Sequence, residues 1–550
     1  MEVRVRTLLR IAWFYFCNAK DPHGRKLTPL ESSNFLATII LFFLIPIALS
    51  AQGNYAFGTN VRVNDDPGGQ AFHTVYSSGG RAIAARGDTV YLAYRGDQTG
   101  LSTIYFTKST DCGQTWTPGL RVSYPEQGII HGLAVDQSGD IFIVYTHVRI
   151  PNYEDIHFTR STDGGVSFSY PMRISDDTLH NQDHPAIAVD TSGQQVFVVW
   201  MDARETTEWD IYFDRSTDGG FSFGTDIRVD DTGNDTSWQR RPSMAVDKAG
   251  ANVYVSWTDW RNPSTDNDIY FARSTDGGQS FLPNVLVNDT AATGSASQWQ
   301  PSLAVDTLGR IFIVWDSEQP VRGCYFSRSD DGGLTFGPEV RVIDIPQEFN
   351  IGFPSIAVDD SDGVYVAWEA YHPYYSGDRI FFAFSDVAGD SFMANIKVDD
   401  LLGGEYWLWA PTLAINEEKD VFVAWMDDRL NHMNAFDIYF ATGTYVGIEE
   451  YAGRTPSAFH PWCHPNPFRR STRFRIHDPG YVVGDFSLRI YDVSGCLVKR
   501  FSDLALDALR PMNIIWDGRD GQGNEVPCGT YFVEVSNDKI REFIKIVKIK

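Results

Sequence analysis

Alternating apolar and polar positions in short runs, each bounded by Gly, Asp, Asn or Ser, dominate the chain from about residue 57 to residue 445. The third copy of the pattern is the clearest. Pro185-Ala186-Ile187-Ala188-Val189-Asp190 alternates into one strand, Thr191-Ser192-Gly193 turns, and Gln195 to Trp200 makes a second. Asp210-Ile211-Tyr212-Phe213 makes a third strand and Ile227-Arg228-Val229 a fourth. Period-two alternation in runs this short predicts strands, and four antiparallel strands per unit predict a small sheet. Aligned on Pro185, the unit recurs from Ala82, Gly132, Pro185, Pro242, Pro301, Pro354 and Pro411, at spacings of 50 to 59 residues. A period of that length is the mark of a repeat array.

Between the third and fourth strands lies a second regularity, Ser-x-Asp-x-Gly-x-Ser/Thr-aromatic. It runs Ser109 to Trp116, Ser161 to Phe168, Ser216 to Phe223, Ser274 to Phe281 and Ser329 to Phe336, with a worn copy from Ser385 to Phe392 where Val387 replaces the acid. These segments resemble the Asp-box, or BNR repeat, of sialidase-like β-propellers. The resemblance implies an all-β β-propeller, and the seven copies of the unit predict a seven-bladed β-propeller over 52–445, where the sialidase ring has six blades. Asp111, Asp163, Asp218, Asp276 and Asp331 are then turn-building residues, since a carboxylate accepts turn amides and a feature repeated six times is no unique active centre. The seventh copy lacks both box and fourth strand. Phe57-Gly58-Thr59-Asn60-Val61-Arg62-Val63 reads like Phe223-Gly224-Thr225-Asp226-Ile227-Arg228-Val229, so an N-terminal strand is expected to complete the last blade and remove an open edge.

The flanks read differently. Residues 1–51 hold the apolar run Phe35 to Ala48, followed by Leu49-Ser50-Ala51, which suits a signal h-region with small cleavage-site residues and a mature start near Gln52; an uncleaved anchor is the alternative. A Pro-rich joint, 446–460, leads to a module at 461–550. Its segments His464-Pro465-Asn466-Pro467-Phe468, Trp516-Asp517-Gly518-Arg519-Asp520-Gly521 and Gly529-Thr530-Tyr531-Phe532 resemble the FlgD-type immunoglobulin-like domain and the related C-terminal sorting domain of type IX secretion. That resemblance implies a β-sandwich, export by outer-membrane secretion machinery, and a secreted or surface location; a plain accessory sandwich is the alternative. No C-x-x-C pair occurs, so a thiolate zinc site is unsupported and neither metal nor cofactor is expected. Cys463 and Cys528 flank the sandwich strands and are the candidate disulfide, with unpaired thiols as the alternative.

The formal net charge is −25, and the first 51 residues carry six basic and three acidic groups, so the remainder is more acidic still. A field of that sign repels phosphate backbones and makes nucleic acid an unsuitable partner. Recurrent Trp-x-Asp-x-Arg at the second strand's end (Trp200-Asp202-Arg204, Trp257-Asp259-Arg261, Trp425-Asp427-Arg429) is expected to form ion pairs between strand ends.

Chemistry is therefore sought on the face opposite the boxes, where the loops run into the innermost strands. The residues just before each unit's Pro are unusual there: His184; Trp238, Arg240 and Arg241; Trp299 and Gln300; Trp407 and Trp409. Aromatic faces interleaved with Arg and amides suit stacking on sugar rings or clamping a peptide, and they serve equally as wedges between blades. The sialidase resemblance implies an arginine triad, a Tyr/Glu pair and an Asp acid/base. Arg149-Ile150-Pro151 matches the family's Arg-Ile-Pro context but falls at the Asp-x-Arg position of the repeat, so only the scaffold transfers. The expected function is an exported propeller binding glycan or a cell-surface partner. The alternatives are a sialidase-type glycoside hydrolase, a lyase on the same ring, or a structural envelope protein.

Overall fold

The computed structural model describes residues 54–446 and 460–548, apart from the short stretches 77–78, 98–99, 124–126, 150–152, 206–207, 234–236, 263–266, 290–296, 319–320, 345–350, 373–376, 402–403, 431–434, 465–468, 478–484, 493–496, 506–511 and 537–540 and the single positions 70, 80 and 470. The expected leader, and the joint apart from its end residues 446 and 460, lie outside the described residues. By contacts the chain divides into one unit of 1–54 with 446–456, almost wholly outside that set, and a second of 55–445 with 457–550. The described residues form strands and turns throughout, with no α-helix.

In the second unit the repeat folds into antiparallel sheets arranged like the blades of a propeller. The third copy is typical: Gln182–Val189, Val196–Asp202, Asp210–Ser216 and Ile227–Arg228 pair in that order. Sheets of the same order begin at Gly128, Gln239, Gln298 and Ile351. In the first copy the innermost position is split, with His73–Thr74 and Ile83–Arg86 both pairing with Thr89–Gly96. The last sheet, Leu408–Ile415, Val421–Asp427 and Asp437–Val446, takes both Asn54–Phe57 and Val61–Arg62 onto its outer strand, with Val61 opposite Phe440. Each sheet's innermost strand packs on that of the next, and Leu408–Ile415 packs on Ile83–Arg86.

Two devices tie neighbouring sheets. Trp200, Trp257, Trp315, Trp368 and Trp425 occupy one second-strand position, are fully buried, and fill the space between sheets. The indole N–H groups of Trp200, Trp257 and Trp425 donate to Asp202 (3.0 Å), Asp259 (2.7 Å) and Asp427 (3.0 Å); where Ser317 replaces the acid, Gln298 Oε1 accepts from Trp315 instead, at 2.8 Å. The second device is the box glycine. Gly220 has φ +81°, and a Cβ there would lie 2.5 Å from Phe158 of the preceding sheet. At the seam Gly113 meets Phe440 in the same way, with a Cβ placed 1.8 Å from the ring. Only glycine suits a left-handed turn pressed against an aromatic face, so this contact recurs where the first copy meets the last.

In the boxes the carboxylate organises the turn. Asp218 Oδ1 accepts from Ser216 Oγ (2.7 Å) and from the amides of Phe221 and Ser222 (both 2.9 Å), while Oδ2 accepts from Ser222 Oγ at 2.6 Å. Ser222 first and then Ser216 hold the Asp218 carboxyl down at about 2. Asp111, Asp163, Asp276 and Asp331 bond the same way. Arg261 reaches Asp259 (2.8 Å) and Asp231 (2.6 Å), and Arg429 reaches Asp427 (2.6 Å) and Asp400 (2.8 Å), as the Trp-x-Asp-x-Arg pattern predicts.

The C-terminal residues form a three-stranded sheet (His460–His464, Thr472–His477, Met512–Trp516) and a four-stranded one (Leu497–Ala505, Asp485–Asp492, Gly529–Ser536, Arg541–Lys548). Phe474, Ile514 and Trp516 from one sheet share a buried cluster with Leu488, Ile490, Tyr531 and Val533 from the other, which makes a sandwich. Cys528 is an exposed free thiol, so the expected bridge to Cys463 is not formed. Cys463 lies on the edge strand His460–His464 of one sheet and Cys528 just before Gly529–Ser536 of the other, a placement that does not by itself bring two sulfurs within bonding geometry; the Cys463 side chain lies outside the described residues.

Candidate functional site

The register fixes which end of each sheet carries which feature. Gln182 lies opposite Asp202, and Asp202 opposite Asp210; at the other end Val189 lies opposite Val196, and Val196 opposite Ser216, where the box begins. His184 and its counterparts therefore gather at the end away from the boxes.

At that end the innermost strands share a distortion. His184, Arg241, Gln300, Phe353 and Ala410 all have φ between 50° and 56°, each precedes a Pro, and each sits in a register shift of its strand. Left-handed backbone is costly for residues with a Cβ, and a following Pro favours extended backbone instead. Hydrogen bonds hold the bulges: Gln300 N donates to Thr258 Oγ1 (3.1 Å), Phe353 N to Gln300 Oε1 (3.0 Å) and Ala410 N to Glu369 Oε2 (2.9 Å). A bulge redirects the side chain it carries, and five of them in register redirect five different side chains at one mouth. Gln300 is thus a strut between two sheets, its carbonyl oxygen committed to Phe353.

The centre of the mouth holds a residue that pattern reading did not select. Tyr76, between the two inner strands of the first copy, packs edge-on against Phe353 at 5.3 Å, and its Oη lies 3.2 Å from His184 Nε2. His184 Nδ1 in turn lies 2.9 Å from Asp183 Oδ2, and Asp183 Oδ1 accepts from Thr146 Oγ1 at 2.8 Å. Burial works to raise the Asp183 carboxyl, but His184 and Thr146 outweigh it and hold it below its ordinary value. Burial raises the Tyr76 phenol, which Arg241 partly offsets. The same segment continues across the ring. Ser302 Oγ donates to Gly79 O at 2.7 Å, a Cβ on Gly79 would lie 2.3 Å from Ser243 Oγ, and the Arg81 guanidinium donates to the Leu303 carbonyl. The first copy thus inserts into the axis and contacts the third to sixth.

Two acids join this group. Asp316 and Glu369 follow the buried Trp on the second strands of adjacent sheets, at a position that holds Thr146, Met201, Thr258 and Met426 in other copies. Burial pushes Asp316 up to about 8, with Arg241 opposing, and Asp316 Oδ1 has no hydrogen-bond partner. Burial also pushes Glu369 well above the carboxylate range, with Asp378 and Asp316 adding to the rise. Asp316 therefore stands protonated near neutral pH, and the same burial works against ionisation of Glu369. The signal for them was present in the sequence as a departure from the repeat: acid in two neighbouring copies where the others carry Thr, Met or Arg.

The other sequence candidates form two flanking groups. Arg240 lies 3.6 Å above the exposed Trp238 ring, Trp238 meets Trp260 at 6.2 Å, and Trp260 meets the half-buried Trp299 at 5.0 Å. On the other side Trp407, exposed, meets Trp409 at 5.3 Å; Trp409 stacks on Phe436 and donates to Asp378 at 3.3 Å. Among the described residues Arg241 makes no ion pair or hydrogen bond, while the arginines of the repeat pattern are tied to carboxylates.

No family model matches the chain, and no curated protein does. Among solved structures it is similar to a PL25 ulvan lyase bound to -[GlcA(1-4)Rha3S]- (10% identity over 70% of this chain and 95% of that one, TM-score 0.49). It is also similar to a protein of unknown function from Dyadobacter fermentans (13%, 71% and 99%, TM-score 0.42) and to the Hadza microbial sialidase Hz136 (14%, 64% and 73%, TM-score 0.38).

Proposed function

We propose that this chain is an exported, seven-bladed β-propeller, closed by its N-terminal strand, that binds an acidic glycan in the mouth formed by Tyr76, His184, Arg241, Asp316 and Glu369. The observation that carries the reading is Arg241, a half-buried guanidinium without a carboxylate partner among the described residues, near Asp316, which burial keeps protonated at neutral pH. A guanidinium in a site of low polarity calls for an anion with planar oxygens, which a uronate or sialate carboxylate supplies. Protonated Asp316 does not repel that anion and can donate a hydrogen bond to a sugar oxygen, while burial disfavours charge on Glu369. Trp238 with Arg240 on one side, and Trp407 with Trp409 on the other, offer apolar faces for neighbouring rings.

Catalysis at the same mouth is the second reading, favoured by the Tyr76–His184–Asp183 series. An imidazole between a hydroxyl and a carboxylate lets the hydroxyl exchange a proton, which serves either glycoside hydrolysis or elimination from a uronate. The C-terminal sandwich at 461–550 is the proposed signal for outer-membrane secretion. An array of neutral and acidic oligosaccharides, with release of reducing ends or unsaturated sugar followed in parallel, tests both readings. Retention on acidic members without product supports binding alone; product supports catalysis; retention on neither refutes both.

A further inference from the structure

The second sheet carries imidazoles at two positions where the third sheet carries other groups. In the third sheet Asp202 lies opposite Asp210, and Trp200 opposite Tyr212. The matching register in the second sheet puts His147 opposite Asp155 and Tyr145 opposite His157. An acid and a phenol have both become imidazoles. Directly opposed residues, and residues two apart on one strand, share a sheet face, so His147, Asp155 and His157 converge. Thr146, the intervening residue, points the other way toward Asp183.

The convergence is close. One donor atom from each of the three lies within 4.8 Å of the others, and the imidazole centroids are 4.4 Å apart. Donors around a tetrahedral zinc ion stand about 3.4 Å apart, a difference that side-chain torsions can close. Asp155 is buried and its Oδ1 has no hydrogen-bond partner, while Arg149 Nε lies 3.2 Å from Oδ2. One carboxylate oxygen is therefore held by a cation, and the other is left over in a carboxyl group that lies beside two imidazoles. A buried acceptor without a partner is costly. A cation shared with two histidines satisfies it, and Arg149 then orients the ligand from outside. The repeat explains how Arg149 became available: the acid that partners Arg204 in the third sheet is Asp202, and His147 stands in its place.

We propose that His147, Asp155 and His157 bind a divalent transition ion of the zinc class, a donor set that suits imidazole-preferring metals and leaves coordination positions for water or ligand. A second cluster, Asp66, His73 and Asp437, is the internal comparison. There the Asp437 oxygens already accept from Arg62, Asn64 and the Gly69 amide, which leaves little for a metal.

Cobalt(II) titration of the full chain, purified without a histidine tag and stripped with a chelator, tests this through the visible absorption of the bound ion. The expected result is a saturable band and a metal-dependent rise in Tm, with binding at least about tenfold weaker in H147Q and H157Q. Circular dichroism identifies variants that stay folded. His147 is half-buried, so H147Q carries the test if H157Q does not fold. Absence of the band, an affinity unchanged in H147Q, or loss of the band in D66N alone would overturn the assignment.

Discussion

Tyr76 Oη stands 3.2 Å from His184 Nε2 across 108 residues of sequence, joining the first copy's inserted segment to the third copy's bulge. Tyr76→Phe keeps the ring against Phe353 and deletes this hydrogen bond. A loss of about 0.5–1.5 kcal/mol is expected in denaturant unfolding. If the mouth is catalytic, turnover falls far more than the ligand Kd rises; equal effects on both would remove Tyr76 from any proton transfer.

Asp316 makes stability depend on pH. Its folded value of about 8 lies above the unfolded 3.8, so the native state holds the proton more tightly. Its contribution is complete below pH about 4 and is lost as pH rises through about 8. Asp316→Asn removes that slope. Urea midpoints across this range should converge toward the variant's at low pH and fall below them at high pH; parallel profiles would contradict the burial assigned to Asp316.

In the boxes, Asp218→Ala strips the acceptor from two amides and two hydroxyls. The expected cost is about 1–3 kcal/mol, with glycan affinity of the folded fraction unchanged. Weakened affinity at unchanged stability would place the binding face at the wrong end of the ring.

Gly113→Ala drives a methyl into Phe440 at the seam between first and last copies. Destabilisation of more than about 1 kcal/mol is expected. A melting temperature equal to that of the parent would mean that the seam does not depend on this contact.

Much of the strand pattern was legible in the sequence, because period-two alternation and turn residues recur in register. The run from Pro185 to Asp190 matches Gln182–Val189, and Trp200 is fully buried as a second-strand anchor. His184 and Arg241 were accessible too, through their place before each Pro. Tyr76 was not. It lies in a segment with no counterpart in other copies, and only tertiary packing places it in the axis. Gln300 looked like a ligand contact, yet its oxygen is taken by a backbone amide in the next sheet. Asp316 and Glu369 were readable only by comparing copies position by position, since an acid on a strand otherwise passes for a solvent-facing residue.

Arg241 is the most direct test of the proposed mouth. Calorimetric titration of the parent and of Arg241→Ala with an acidic oligosaccharide and its carboxyl-reduced form isolates the guanidinium–carboxylate pair. The account predicts that the substitution weakens the acidic ligand by about 2 kcal/mol or more, leaves the reduced form nearly unaffected, and does not alter Tm. Equal binding of the acidic ligand by parent and variant, both folded, would contradict it.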